Sequence, residues 1–325
     1  GRARVRHHVG QAPARHVTAG ADGVELADEV AAALAAGRPV VALESTIITH
    51  GLPRPRNLAV ARELEATVRA GGAVPATVAV LGGRVRIGLS DAELVGLADA
   101  EPGAVAKASV RDLPVLAARG ADGATTVAAT AHLARLAGVR VFATGGLGGV
   151  HRGAAATFDE SADLPALARI PIVVVCAGVK SILDAGATLE RLETLGVPVL
   201  GFGTHRLPGF TQVDGGHDLT WRVDRPEEVA AARRGADALG ITAAVVVARP
   251  VDAEAALDPA LHDRVLAEAL AAADAAGIAG KDVTPFLLDA MQRGTGGASL
   301  EANVAAVRGN AALAAAIAAA LAGGA

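Results

Sequence analysis

The chain of 325 residues has no tyrosine and one tryptophan, and only 2% of its residues are aromatic. It also lacks an excess of basic charge, since its formal net charge is −4. Proteins that bind nucleic acids usually present a basic surface, and many stack bases on aromatic rings. The composition therefore argues against a nucleic-acid partner.

Cysteine is almost absent as well. The single cysteine, Cys176, has no partner for an internal disulfide and lies in an apolar run. A thiol in such surroundings is typical of a buried structural residue rather than of a nucleophile. Because disulfides mark oxidising compartments, their absence predicts a reducing, cytoplasmic location.

No hydrophobic run is both long enough and free enough of charge to predict a membrane span, because Arg, Asp and Glu interrupt the alanine-rich stretches. We therefore expect no membrane partner. Residues 1–23 carry Arg and His without apolar periodicity, which predicts a disordered tail or a cloning remnant. Residues 24–325 are expected to form one domain, because no linker or repeat divides them.

The most informative stretch is the run of β-branched residues at 172–176, which is followed by Ala177, Gly178 and then Lys180. Such a run predicts a strand of a parallel sheet that is buried on both faces. Ser181 has the form of an N-cap, which predicts a helix over 182–195. Lys180 would then lie in the crevice where open α/β sheets bind ligands. The helix dipole and partial desolvation would favour a neutral, nucleophilic amine there, although a surface lysine reaching out of a loop is the alternative.

Segments with strand and helix patterns alternate along most of the chain. Strands are predicted at 39–43, 77–81, 84–87, 104–107, 139–143, 172–176, 197–201, 220–223 and 243–247, and helices at 24–36, 58–70, 125–136 and 226–238, with mostly helix from 259 onward. Gly82-Gly83 predicts a hairpin, and Ser90 with Glu93 predicts a helix N-terminus. This alternation predicts a single-domain three-layer α/β/α sandwich around a mostly parallel sheet.

Charged or hydroxyl-bearing residues lie at or near the ends of several predicted strands: Glu44, Lys107, Thr144 and Lys180. Their repetition indicates a polar site at one edge of the sheet. The glycine-rich run at 145–149 would let backbone N–H groups approach a phosphate or carboxylate, although a plain flexible turn is equally compatible. It matches neither the dinucleotide fingerprint nor the Walker loop.

A metal site is conceivable on the loop that follows this glycine run. His151, Asp159, Glu160 and Asp163 offer ligands, and one carboxylate with several waters is typical of Mg²⁺ or Mn²⁺. Zinc is not indicated, because no Cys/His cluster has the required spacing. Taken alone, these acids are better explained as groups that solvate the loop.

Several long motifs resemble the pseudouridine-5′-phosphate glycosidase family. They are VALESTIITHG at 41–51, GATTV at 123–127, VFATGGLGGVHRG at 141–153, VVVCAGVKSILD at 173–184, and the TPFLL and SLEAN pieces between 284 and 303. The resemblance runs in order from about residue 25 to the end of the chain. It implies a reversible cleavage of the C1′–C5 bond of pseudouridine 5′-phosphate to uracil and ribose 5-phosphate. It also implies a single α/β/α domain, a divalent metal, usually Mn²⁺, and a homotrimer.

The resemblance also implies roles for individual residues. Lys180 would be the Schiff-base nucleophile, Glu44 the proton donor, Lys107 a ligand of the sugar phosphate and Asp159 the metal ligand. Val127, Ser161, Ala162 and Asp163 would line the substrate pocket, with Thr144, His151 and Asn303 as further pocket residues.

The chain departs from the family pattern at residues 205–211, where relatives usually have aromatic residues and a serine-rich stretch. Base contacts in this loop therefore do not carry over. Two other functions share parts of the pattern. A Schiff-base aldolase for sugar phosphates would use Lys180 without a uracil pocket, and a non-enzymatic binding module would use Lys180 only as an anion contact.

Overall fold

The computed structural model describes residues 16–18, 23–278 and 283–324. The predicted tail is therefore largely outside the described residues. His16–Thr18 is an exception, because it forms a strand that pairs antiparallel with Val24–Ala27. These three residues extend the sheet by one strand, and the expectation of a disordered tail stays a prediction.

Twelve strands occur in the described residues, and they form one mixed sheet. They are β1 His16–Thr18, β2 Val24–Ala27, β3 Val40–Leu43, β4 Val74–Leu81, β5 Arg84–Ile87, β6 Ala106–Ala108, β7 Gly123–Thr125, β8 Val141–Ala143, β9 Val173–Cys176, β10 Val199–Phe202, β11 Trp221–Val223 and β12 Val245–Ala248. The order is β1-β2-β5-β4-β3-β8-β9-β12-β10-β11, with β7 joined to β4 and β6 to β7. From β4 to β11 along this order the strands are parallel.

The described helices cover both faces of this sheet. They are α1 Asp28–Ala35, α2 Arg56–Ala70, α3 Asp91–Ala98, α4 Leu113–Arg119, α5 Val127–Leu136, α6 Ala154–Thr157, α7 Asp163–Leu167, α8 Ala185–Thr194, α9 Pro226–Ala238, α10 Pro259–Ala275, α11 Val283–Gly294 and α12 Ala298–Ala322. Side chains of α1, α5 and α7 form one core layer, and those of α2, α9 and α12 form the other. The predicted three-layer α/β/α sandwich is confirmed.

Successive side chains of the central strands point to opposite faces of the sheet, so each strand contributes to both core layers. In β9, Val174 and Cys176 face one layer, whereas Val173 and Val175 face the other, and all four are fully buried. Burial raises the pKa of the Cys176 thiol to about 12. The prediction of an inert structural cysteine is confirmed, because a thiol that resists ionisation is a poor nucleophile.

Local signals in the sequence locate several elements well. The Gly82-Gly83 hairpin joins the antiparallel strands β4 and β5. Ser90 and Glu93 form a capping box, in which the Glu93 amide donates to Ser90 Oγ at 3.3 Å and the Ser90 amide donates to the Glu93 carboxylate at 2.8 Å. Helix α9 has the predicted bounds, 226–238.

Two helix predictions are wrong at their starts. Residues 24–27 form β2, because their backbone pairs with β5, and the helix begins only at Asp28. After Lys180 the helix begins at Ala185, and its cap is Asp184, whose carboxylate accepts from the Ala187 amide at 2.9 Å. Ser181 is not the cap because the preceding segment is held beside the glycine run, with the Lys180 amide donating to Leu147 O at 3.0 Å.

Helix α12 corrects a third expectation. It is long and apolar enough to cross a membrane by length and composition, contrary to the prediction that no segment qualifies. In the fold it is a core helix, because 61% of its most apolar window is buried and it packs against α2, α9 and the central strands. Its composition is therefore explained by burial within the sandwich.

Candidate active site

Three neighbouring parallel strands deliver the central residues of the site. Glu44 directly follows β3, Thr144 directly follows β8, and Lys180 comes four residues after β9. The chain continues from β3 to β4 on one side and from β8 to β9 on the other, so the strand order diverges between β3 and β8. Ligands of open α/β sheets bind at the carboxyl edge of such a switch point.

A cavity of about 440 Å³ opens at this edge. Four of the residues singled out in the sequence line it together: Glu44, Lys107, Lys180 and Asn303. The other polar lining residues are Thr46, Thr49, His50, Ser181, Thr211, Thr284, Asp289, Gln292 and Ser299, and the apolar lining residues are Ile47, Leu52, Pro53, Phe210, Pro285, Leu288, Met291 and Leu300. The lining is thus mixed, with several polar groups among apolar side chains, as is typical of small-molecule sites.

Both oxygens of the Glu44 carboxyl group are held by threonine hydroxyls. Thr144 donates to Oε1, and Thr46 donates to Oε2. Thr144 is fully buried and Thr46 nearly so, which gives the carboxyl group a fixed orientation in the cavity wall. Such preorganisation is a requirement for a group that transfers a proton.

Two of the three lysines in the chain, Lys107 and Lys180, share this cavity. Partial burial and the nearby positive charge of Lys180 lower the pKa of Lys107, while the carboxylates of Asp163 and Glu44 oppose the shift. The side chain of Lys107 remains accessible through the open cavity, so water weakens the effect. Because like charges repel, the presence of Lys180 in the same cavity favours the neutral form of Lys107.

His50, the histidine of the motif at 41–51, lines the same cavity near Lys107. Its Nδ1 is 2.5 Å from Thr49 Oγ1. Partial burial and the charge of Lys107 lower the pKa of His50, while a hydrogen bond to the backbone of Val105 opposes this. The lowered pKa favours a neutral imidazole in the free protein.

Asp163 accepts backbone hydrogen bonds behind the cavity wall. Its carboxylate accepts from the Gly148 amide at 2.8 Å and from the Ala128 amide at 2.9 Å, and it is 5% exposed. A Cβ on Gly148 would lie 2.2 Å from Ser161 Oγ. The Gly148 amide is therefore bound to the Asp163 carboxylate and is not free for a ligand. Gly145 and Gly146, in the same glycine run, line the cavity.

The remaining predicted pocket residues do not line the described cavity. Val127 is 2% exposed in the core, and Ser161, Ala162 and Asp163 lie at the start of α7, next to the glycine run. Thr144 contributes through Glu44 rather than by lining the cavity. Direct substrate contacts by these residues stay predictions.

His151 and Asp159 lie together on the loop after the glycine run. His151 Nδ1 is 3.7 Å from Asp159 Oδ2, and the amide of His151 donates to Asp159 O at 3.0 Å. The neighbouring Arg152 reaches Ser181 O at 3.5 Å, which links this loop to the cavity rim. Among the described residues, no group of three or more His, Cys, Asp or Glu is arranged to hold a metal. Asp159 offers one partly accessible carboxylate, which fits only a cation that keeps most of its waters.

Two buried polar atoms at the cavity are candidate ligand contacts. Within the described part of the chain, neither Thr211 Oγ1 nor Asn303 Oδ1 has a hydrogen-bond partner. Buried polar groups are rarely left unpaired, so each atom is available for a hydrogen bond to a ligand. The preceding residue, Phe210, has φ of +67° and packs its ring on Gly145 and Gly146, where a Cβ would come within 3.5 Å and 2.5 Å of ring atoms. Thr211 lies at the end of the segment in which the sequence departs from the family pattern.

Together, these features define an α/β protein with a lysine- and glutamate-lined cavity at the carboxyl edge of its sheet. A sequence model described as Indigoidine synthase A like protein matches residues 29–320. The chain belongs to this family, which is the family of the pseudouridine-5′-phosphate glycosidases that its motifs resemble.

Individual relatives agree with this assignment. The pseudouridine-5′-phosphate glycosidase of Saccharopolyspora erythraea is 60% identical over 298 residues, covering 92% of this chain and 98% of the relative. That of Streptomyces griseus subsp. griseus is 63% identical over 298 residues, covering 91% and 92%. The crystal structure of the prealnumycin C-glycosynthase AlnA in complex with ribulose 5-phosphate has a TM-score of 0.87 at 39% identity, covering 93% of this chain and 98% of that one. An indigoidine synthase A-like protein from Thermotoga maritima has a TM-score of 0.83 at 34% identity, covering 92% and 96%.

Proposed function

We propose that the protein is a pseudouridine-5′-phosphate glycosidase, which reversibly cleaves pseudouridine 5′-phosphate to uracil and ribose 5-phosphate through a lysine Schiff base. The observation that carries the proposal is the single cavity that brings together Glu44, Lys107 and Lys180. The names of the close relatives support the overall reaction. The roles proposed for these residues are those that the family resemblance implies, and the chemistry of the bond agrees with them.

The bond to be broken joins two carbons, so the oxygen-protonating mechanism of ordinary glycosidases does not apply directly. In the first step, the neutral amine of Lys180 attacks C1′ and the C1′–O4′ bond breaks. The bonding pair stays on O4′, which takes up the proton that the attacking nitrogen loses. The product is an open-chain sugar held on Lys180 as a secondary amine.

In the second step, the carboxyl group of Glu44 donates its proton to C5 of the base. The electron pair of the C1′–C5 bond becomes the new C5–H bond, and the nitrogen lone pair forms a C=N double bond to C1′. Uracil is released and an iminium remains on Lys180. Water then adds to C1′, the released proton passes to solvent, from which Glu44 is reprotonated, and ribose 5-phosphate leaves with Lys180 again neutral.

The part of the cavity lined by Lys107, Thr49 and His50 suits the phosphate group; it is called the cationic corner. Lys107 provides a point charge, and Thr49 and His50 add hydrogen-bonding groups beside it. A bound phosphate would favour the charged forms of Lys107 and His50, which the free site disfavours. Binding of the sugar phosphate would thus be coupled to proton uptake at this corner.

The unpaired atoms of Thr211 and Asn303 suit the base. Uracil places N–H donors next to carbonyl acceptors along its edge. Asn303 Oδ1 can accept from an N–H group, and the hydroxyl of Thr211 can donate to a carbonyl. Phe210 and other apolar lining residues would contact the face of the ring.

The substitution Thr211→Val tests this base site. Valine preserves the shape and burial of the side chain but removes the hydroxyl, so we expect the KM for uracil to rise about tenfold in the synthetic direction. Steady-state kinetics at saturating ribose 5-phosphate measure the change. An unchanged KM for uracil would exclude Thr211 from base recognition, and trapping of the sugar on Lys180 serves as the control for an intact cavity.

We also propose that Asp159 holds Mn²⁺ together with water molecules. The metal would supply positive charge that helps to bind and orient the anionic substrate. The substitution Asp159→Asn keeps the side-chain size but removes the charge, and we expect the Mn²⁺ affinity to fall about 10-fold to 100-fold. Electron paramagnetic resonance of free Mn²⁺ measures this without turnover. Equal affinity in the variant would exclude Asp159 as the ligand, and Glu160→Gln is the matched control, because Glu160 is paired with Arg191 at 2.9 Å.

The homotrimer and the cytoplasmic location are part of the same proposal. Light scattering coupled to size-exclusion chromatography tests the assembly, and a mass of one or two chains would contradict it.

The overall function is tested by supplying uracil, ribose 5-phosphate and Mn²⁺ and separating the products by chromatography. Formation of pseudouridine 5′-phosphate supports the proposal. A sugar adduct on Lys180 without a C-nucleotide product would instead identify a Schiff-base aldolase. Absence of both an adduct and a product would identify a binding module.

A further inference from the structure

Asn310 is a fully buried amide on the core side of α12. Its neighbours on this face, Val307, Ala311 and Ala314, belong to the apolar core layer between the helix and the sheet. Burial of an amide in such surroundings is unfavourable unless the group makes hydrogen bonds. A polar residue at this position therefore calls for an explanation beyond packing.

The amide of Asn310 binds the backbone at the point where β8 ends. Nδ2 donates to Thr144 O at 2.8 Å and to Gly145 O at 3.4 Å. Both partners are acceptors, so the NH₂ group must face them. Within the described residues, Oδ1 of Asn310 has no partner, so the donating half of the amide makes the specific contacts.

Thr144 connects this buried contact to the cavity. Its amide donates to Val175 O at 3.0 Å, its carbonyl accepts from Asn310, and its hydroxyl donates to Glu44. The sheet and α12 thus hold the backbone of Thr144 from two sides. A shift of this backbone would move the hydroxyl and, with it, the carboxyl group of Glu44.

We infer that Asn310 is a positioning residue, which fixes the orientation of Glu44 by holding the backbone of Thr144. The inference rests on the proposed function, because it gives Glu44 the task of protonating carbon. Asn310 does not line the cavity. It would act on the step that breaks or forms the C1′–C5 bond, and not on the attack by Lys180.

The test uses Asn310→Ala and Asn310→Leu in the full-length protein. A small misplacement of a reacting group is costly, so we expect kcat for joining uracil to ribose 5-phosphate to fall about 10-fold to 100-fold. The KM for ribose 5-phosphate and the rate of borohydride trapping on lysine should stay within about twofold, because neither needs an oriented Glu44. Val307→Ala, one turn earlier in the same core layer, is the control for a general loss of stability.

A double-mutant cycle with Thr144→Val shows whether the effect passes through Thr144. Valine removes the hydroxyl that contacts Glu44, so Asn310→Ala should have much less effect in that background than in the wild type. If the loss of kcat in the double variant equals the product of the losses in the two single variants, the inference is overturned. The inference is also overturned if the Asn310 variants lose adduct formation as strongly as kcat, or if Val307→Ala loses kcat to the same extent.

The proposed function itself is tested by the wild-type protein in the same assay. If the wild type makes no pseudouridine 5′-phosphate, the proposed function fails and the role of Asn310 fails with it. If the wild type is active and the variants match it, only the role of Asn310 fails.

Discussion

The substitution Lys180→Ala is expected to reduce turnover of uracil and ribose 5-phosphate by about 10⁴-fold or more. It should also abolish the adduct that borohydride traps, because no other group would replace the amine as covalent carrier of the sugar. Activity is measured by chromatography of the product, and the adduct by intact-protein mass spectrometry. The fold should be unchanged, since the Lys180 backbone, rather than its side chain, pairs with Leu147.

The matched control is Lys107→Ala, which removes the other lysine of the same cavity. It should raise the KM for ribose 5-phosphate by about 10-fold to 100-fold, as expected when a charged hydrogen-bond donor is lost, but it should still form the adduct at saturating sugar. Circular dichroism and thermal unfolding verify that both variants are folded. Turnover retained by a folded Lys180→Ala protein would refute covalent catalysis by this residue.

The substitution Glu44→Ala should separate the two halves of the reaction. The sugar should still be trapped on Lys180, whereas formation or cleavage of the C1′–C5 bond should slow by about 10²-fold to 10⁴-fold, because the proton donor is absent. Single-turnover experiments that follow adduct and product in parallel measure the split.

Glu44→Gln refines this test because the amide occupies the same space and can still accept a hydrogen bond from a threonine hydroxyl. It should have the same defect as Glu44→Ala if the missing element is the transferable proton. Full activity in either variant would exclude Glu44 as the acid. A simultaneous loss of the adduct would show that Glu44 assists the attack instead.

The layers of the fold could be predicted because they depend on patterns within short segments. β9 is an uninterrupted apolar run, and the Gly82-Gly83 hairpin and the Ser90 cap are local signals. The start of α8 was misplaced because Ser181 and Asp184 are both good caps. The choice is made by a distant partner, Leu147, which holds the backbone at Lys180.

The candidate site was partly predictable for a similar reason. Glu44, Thr144 and Lys180 come after strands, and parallel packing of those strands brings them to one edge. The environments of Thr211 and Asn310 could not be foreseen, because each depends on contacts between segments far apart in the chain. The glycine run shows the same limit, since its partner at Gly148 is the carboxylate of Asp163 rather than a ligand.

The most direct test of the central claim is to map the sugar on the wild-type protein. The protein is incubated with ribose 5-phosphate, reduced with borohydride, digested and sequenced by tandem mass spectrometry. The account predicts a reduced ribose phosphate on Lys180, with Lys107 unmodified. Modification of Lys107 in place of Lys180, or of neither lysine, would contradict it.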